Sequence, residues 1–118
     1  MIIIPAAASR SDACHDPRSA AAETAWLPII GPGAMALLRL TPTMWAVAAP
    51  WDITDSELAR SLGLPTADRA RNAASRLARF GVARWDAAAG TLEVPTSVHL
   101  PSAHQVQRAA NRFAARVR

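Results

Sequence analysis

The chain has 118 residues and a net charge of +4, a size that suits one domain built on one core. Its single cysteine, Cys14, excludes an intramolecular disulfide framework and any site that needs two thiolates from the same chain. Charge is unevenly placed: residues 1–59 carry three Arg against six acids, whereas residues 60–118 carry ten Arg against Asp68, Asp86 and Glu93, so the second half points to an anionic partner.

Residues 1–25 mix Ala, Ser, Asp and Pro without a period and are expected to form an irregular or extended arm, with Ile2, Ile3 and Ile4 docked on the body. The opening MIIIPAAAS is apolar but too short for the central region of a signal peptide, and no basic residue precedes it. No apolar run approaches the ~18 residues of a membrane-spanning helix, so the expectation is a cytoplasmic protein with no membrane partner. Residues 26–118 are expected to form the domain. Pro32 suits a helix start, followed by Met35, Leu37, Leu38 and Leu40. Thr41-Pro42 should break or restart that helix, leaving a second short one from Thr43 to Ala49, ended by Pro50.

Trp51 to Thr54 is extended in character, and Asp55 or Ser56 is expected to cap the helix that follows, with Gly63 as its stop. After the turn Leu64-Pro65-Thr66 comes ADRARNAASRLARFG. At about 100° per residue, Ala67, Ala70, Ala73, Ala74, Leu77, Ala78 and Phe80 share one arc, and Asp68, Arg69, Arg71, Asn72, Ser75, Arg76 and Arg79 fill the other. That separation predicts a strongly amphipathic helix over 67–80 with a small inner face. VARWD, AAAG and TLEV then read as strand, turn and strand, a β-hairpin. Finally Ser102 and Gln105 match a capping box for a helix over 102–117. Val106, Ala110, Phe113 and Val117 form its apolar stripe, beside a ridge of Arg108, Arg112 and Arg116.

DITDSELARSLGL, NAASRLARFGVARWD and GTLEV, within residues 52–95, resemble the winged helix-turn-helix domains of small bacterial transcription regulators. The resemblance implies a mostly α (α+β) fold with a short two-stranded hairpin and a C-terminal helix. It implies sequence-specific binding of double-stranded DNA as a transcription regulator, with no enzymatic activity and neither cofactor nor metal. A major groove about 12 Å wide admits the helix over 67–80. On this reading Arg69, Arg71, Asn72 and Ser75 meet base edges, Arg76 and Arg79 meet phosphates, and Arg84 reaches the backbone or minor groove from the hairpin. Six such phosphate contacts correspond to a slope of roughly −5 in log K against log salt. A homodimer, paired through helices outside the motif, would match two half-sites. The alternatives are a protein-interaction adaptor of the same shape, or a DNA-handling accessory factor of a phage or mobile element.

All thirteen basic residues are Arg, as a GC-rich genome produces, so placement rather than residue type is informative. Cys14-His15-Asp16 is read as incidental, because His99 and His104 lie more than 80 residues away and a metal needs about four ligands. With no Tyr and two Phe, Trp45 and Trp85 are expected to fill the core, while Trp26 and Trp51 flank loops.

Overall fold

Ile2–Pro5 forms β1, the first strand of a mixed α+β fold whose computed structural model describes residues 1–6, 14–47, 49–107 and 111. Then come β2 (Cys14–His15), α1 (Ala20–Trp45), β3 (Trp51–Asp52), α2 (Asp55–Leu62), α3 (Ala67–Arg79), β4 (Arg84–Asp86), β5 (Thr91–Val94) and β6 (Val98–His99). A last helix, α4, is described over 103–107. Four strands join in the order β3-β1-β5-β4, and β2 pairs with β6 in a separate ladder.

The described part of the first 25 residues is therefore not irregular: it holds two strands and the start of a helix. β1 lies between β3 and β5, antiparallel to the first and parallel to the second, with Ile3 opposite both Trp51 and Leu92. Alternation along the strand sends Ile3 inward, 0% exposed, among Leu92, Val94 and Leu77, while Ile2 and Ile4 remain half-buried. A run of three Ile is too short to show a period of its own, and its partners lie about 50 and 90 positions away.

α1 also begins earlier than expected, and in place of a separate second helix over Thr43–Ala49 it runs on through Pro42 and ends at Trp45. Ser19 caps it by accepting from the Ala22 N–H, and the helix passes three prolines with one break, at Gly31 (φ +84°, ψ 169°). Pro32 follows that break, where its missing N–H costs little. Pro42 does not end the helix. It leaves the Leu38 carbonyl without its usual donor four residues on, and the buried Thr41 hydroxyl donates to that carbonyl instead, at 3.3 Å. Thr41 thus repairs the turn that it is expected to interrupt. By length and composition alone this joined helix could cross a membrane, though no single apolar run of that length exists in the sequence. Here its Trp26, Ile29, Ile30, Met35, Leu37 and Leu38 line the core.

Thr54, rather than Asp55 or Ser56, caps α2: it accepts from the Glu57 N–H at 3.1 Å and its hydroxyl donates to the Glu57 carboxylate at 2.9 Å. Asp55 becomes the first helical residue, its carboxylate free for another partner. Gly63 (φ +70°) ends α2 with a Schellman pair, Leu64 N–H to Ala59 O at 2.8 Å and Gly63 N–H to Arg60 O at 3.2 Å. Thr66 then caps α3, which ends in the same manner at Phe80-Gly81. The expected two-faced helix is observed. Ala70, Ala73, Ala74 and Leu77 are buried, and these small side chains let α3 pack closely on α1 and α2.

The hairpin forms as expected, with Arg84 opposite Glu93, Trp85 opposite Leu92 and Asp86 opposite Thr91. The capping box is present too, the Ser102 N–H donating to the Gln105 side chain at 2.7 Å and the Gln105 N–H to Ser102 Oγ at 3.2 Å. The Gln105 side-chain amide is used a second time: Nε2 donates to the Phe80 carbonyl at 3.0 Å and ties α4 to the end of α3. Beyond 107 the expected stripe of Ala110, Phe113 and Val117 and the ridge of Arg108, Arg112 and Arg116 lie outside the described residues. Trp45 packs against the core, partly buried, but the roles of Trp26 and Trp85 are exchanged. Trp26 is 4% exposed and donates from Nε1 to the His99 carbonyl at 2.7 Å, whereas Trp85, on the edge strand β4, is 44% exposed.

Gly31 supports a direct prediction. An added Cβ would sit 2.8 Å from Arg76 Nη1 and would hold an L side chain at φ +84°, so Gly31→Ala should cost about 1–3 kcal/mol in a urea melt. Gly33→Ala meets only ordinary contacts at 3.7 Å and should leave stability unchanged or slightly raised.

Candidate nucleic-acid interface

The outer arc of α3 divides into a central ridge and two flanks. Helical geometry at 3.6 residues per turn puts Asp68, Asn72, Ser75 and Arg79 along the ridge, and all four are exposed. Arg71 stands on the flank toward α2 and the hairpin. Arg69 and Arg76 stand on the flank toward the Gly31 kink of α1.

Each predicted cation has a distinct environment. Arg71 donates to Asp55 Oδ2 at 2.9 Å and pairs also with Asp68, one turn earlier. Its charge is thus shared between two carboxylates, although pairs this exposed stabilise the fold by no more than about 1 kcal/mol. Arg84, on the hairpin, pairs with the cross-strand Glu93 at 3.1 Å. Arg76 is half-buried and donates from Nη1 to the Ile30 carbonyl, at 3.3 Å, just before the kink. Among the described residues, Arg69 and Arg79 have no ion-pair partner. The α2–α3 packing that places Asp55 beside Arg71, and the kink that places Ile30 beside Arg76, were not visible in the sequence; only the Asp68 pairing, at helical spacing, was.

Clefts run along both flanks. One, of about 470 Å³, lies between α3 and the hairpin and is lined by Met1, Asp55, Arg71, Ser75, Trp85 and Gly90, among others. The other, of about 450 Å³, lies between α3 and the α1 kink and is lined by Arg69, Asn72, Arg76 and Arg79 facing residues 31–33.

Away from α3, the β2–β6 ladder sets Cys14 opposite His99, with Sγ 3.4 Å from Nε2. The 85-residue separation in sequence hid this pairing. No group of three or more metal-ligating side chains occurs among the described residues. Asp16 does not join the pair: its carboxylate accepts from Arg18 Nε at 3.2 Å, Nη2 at 3.1 Å and the Arg18 N–H at 2.8 Å. Those bonds, the side-chain ones foremost, hold the Asp16 carboxyl below the ordinary carboxylate range. A lowered folded pKa contributes stability that is present above the unfolded value and lost as pH falls through the folded one. Both groups are exposed, so the effect on folding is small. A titration followed by NMR should find Asp16 low in the parent and raised only part of the way toward the ordinary range in Arg18→Ala, which keeps the backbone N–H bond.

Comparison with family models, with curated proteins and with solved structures finds no match to this chain.

Proposed function

We propose that this chain is a winged helix-turn-helix protein that binds double-stranded DNA with α3 in the major groove, as a cytoplasmic transcription regulator. The element order supports the reading: α1, a short strand, α2, a tight turn, α3 and a two-stranded hairpin, in that sequence. β1 is an added strand, lying between β3 and the hairpin. The observation that carries the proposal is the exposed run of Arg69, Asn72, Ser75 and Arg79 on a helix whose opposite side is fully occupied by α1 and α2. Asn72 pairs bidentately with adenine and Ser75 adds a short hydrogen-bonding group, while Arg69 and Arg79 beside them meet phosphates.

Pairing reduces the cations left for phosphate. With Arg71 and Arg84 held by carboxylates, Arg69, Arg76 and Arg79 remain, and three phosphate contacts correspond to a slope of roughly −3 rather than −5. Fluorescence anisotropy on a duplex library across a salt series checks this. Saturable binding with that slope is the expected result, and no saturable duplex binding at low ionic strength would sink the proposal. A protein-interaction adaptor is the second reading, favoured by the exposed, uncharged hairpin tip at residues 87–89. It would be the reading left standing by that negative result.

A further inference from the structure

We propose that the cleft between the α1 kink and α3 is a binding site for a phosphate-bearing anion. This goes beyond duplex recognition, since it concerns a concave site on the flank of α3 and is expected whether or not DNA binds. Three guanidiniums, from Arg69, Arg76 and Arg79, line the cleft with the Asn72 amide, and no Asp or Glu lines it among the described residues. The nearest acid on the helix, Asp68, is turned to Arg71 on the opposite flank. Three like charges left uncompensated in one concavity concentrate anions there, and the planar guanidinium fork matches the oxygens of a phosphate.

Position along the helix defines the shape of the ligand. Arg69, Asn72, Arg76 and Arg79 recur at intervals of three or four residues, so their side chains follow one edge for about 15 Å of helix. That length suits linked phosphates better than a single small ion. The middle cation is already placed. Arg76 uses one N–H on the Ile30 carbonyl, which leaves four of its five donors for a ligand. Facing it are Gly31, Pro32 and Gly33, which present backbone and no long side chain. Gly31 is required by its φ of +84° and by the guanidinium lying against it. Gly33 has neither requirement: an added Cβ there would meet Ala73 and Leu64 at ordinary contact distances.

The phosphates could belong to a duplex backbone or to a free phosphorylated molecule, and the experiment separates the two. Inorganic pyrophosphate is titrated into the full chain by calorimetry at low ionic strength, with DNA absent. Saturable binding near one to one is expected, weakened tenfold or more in Arg69→Gln and in Arg79→Gln, since each removes charge-assisted hydrogen bonds from an exposed residue outside the core. Arg60→Gln, an exposed cation on α2 away from the cleft, should leave the affinity unchanged. Absence of saturable binding, or an equal loss in all three variants, overturns the site. Competition against a bound duplex then names the source. Displacement of the duplex assigns the cleft to a backbone phosphate, and simultaneous binding assigns it to a free one. If no duplex binds at all, the pyrophosphate result stands on its own and only the DNA reading falls.

Discussion

Ile3→Ala should destabilise the fold by about 3–4 kcal/mol, the largest loss expected from any single change considered for the N-terminal segment. Ile3 is fully buried on an interior strand, between Trp51 on one side and Leu92 on the other, so truncation leaves a cavity that neither neighbouring strand can close. For a chain of this length the melting temperature should fall by roughly 10 °C or more. Ile4→Ala supplies the comparison, since Ile4 is only half-buried and should cost less than half as much. Melts by urea and by heat decide the matter. If Ile3→Ala changed stability by less than about 0.5 kcal/mol, β1 would be a loosely docked arm after all, and the four-stranded sheet would be wrong.

The second large effect concerns binding. Arg69→Ala combined with Arg79→Ala should weaken duplex affinity about ten- to a hundredfold at low salt, alike for all sequences, and make the salt slope shallower by about two. Neither residue has a carboxylate partner among the described residues, so their removal leaves the internal pairing of the face intact. Asn72→Ala should act differently: a sequence-dependent loss of ~1–3 kcal/mol, with little change in slope. Arg71→Ala offers a contrast. It would expose Asp55 and Asp68 on the binding face, so the expected outcome is weaker binding through repulsion rather than relaxed preference. A double variant of Arg69 and Arg79 that bound every duplex like the parent would remove α3 from the interface.

Local features were legible because local rules produce them. The arc of Ala70, Ala73, Ala74 and Leu77 follows from the helical period, and the hairpin from strand alternation around a Gly-containing turn. The Ser102–Gln105 box follows from a four-residue motif. Near misses were local as well: the cap of α2 fell one residue earlier than expected, on Thr54, where Glu57 could complete the box. Proline misled more seriously. Pro42 has the chemistry to stop a helix, yet a neighbouring hydroxyl supplied the donor it lacks.

By itself, then, the sequence determined the concentration of positive charge in the second half, and also the amphipathic helix, its small inner face and the hairpin, which residues a few positions apart decide through backbone geometry. Only the tertiary structure decided that Ile3 lies inside the sheet, that Trp26 rather than Trp85 is buried, and that Cys14 meets His99. It also decided which cations are already occupied: Arg71 by Asp55, Arg84 by Glu93 and Arg76 by the Ile30 carbonyl. Those outcomes depend on groups brought together from distant parts of the chain, and a periodicity read along one segment carries no information about what packs across from it.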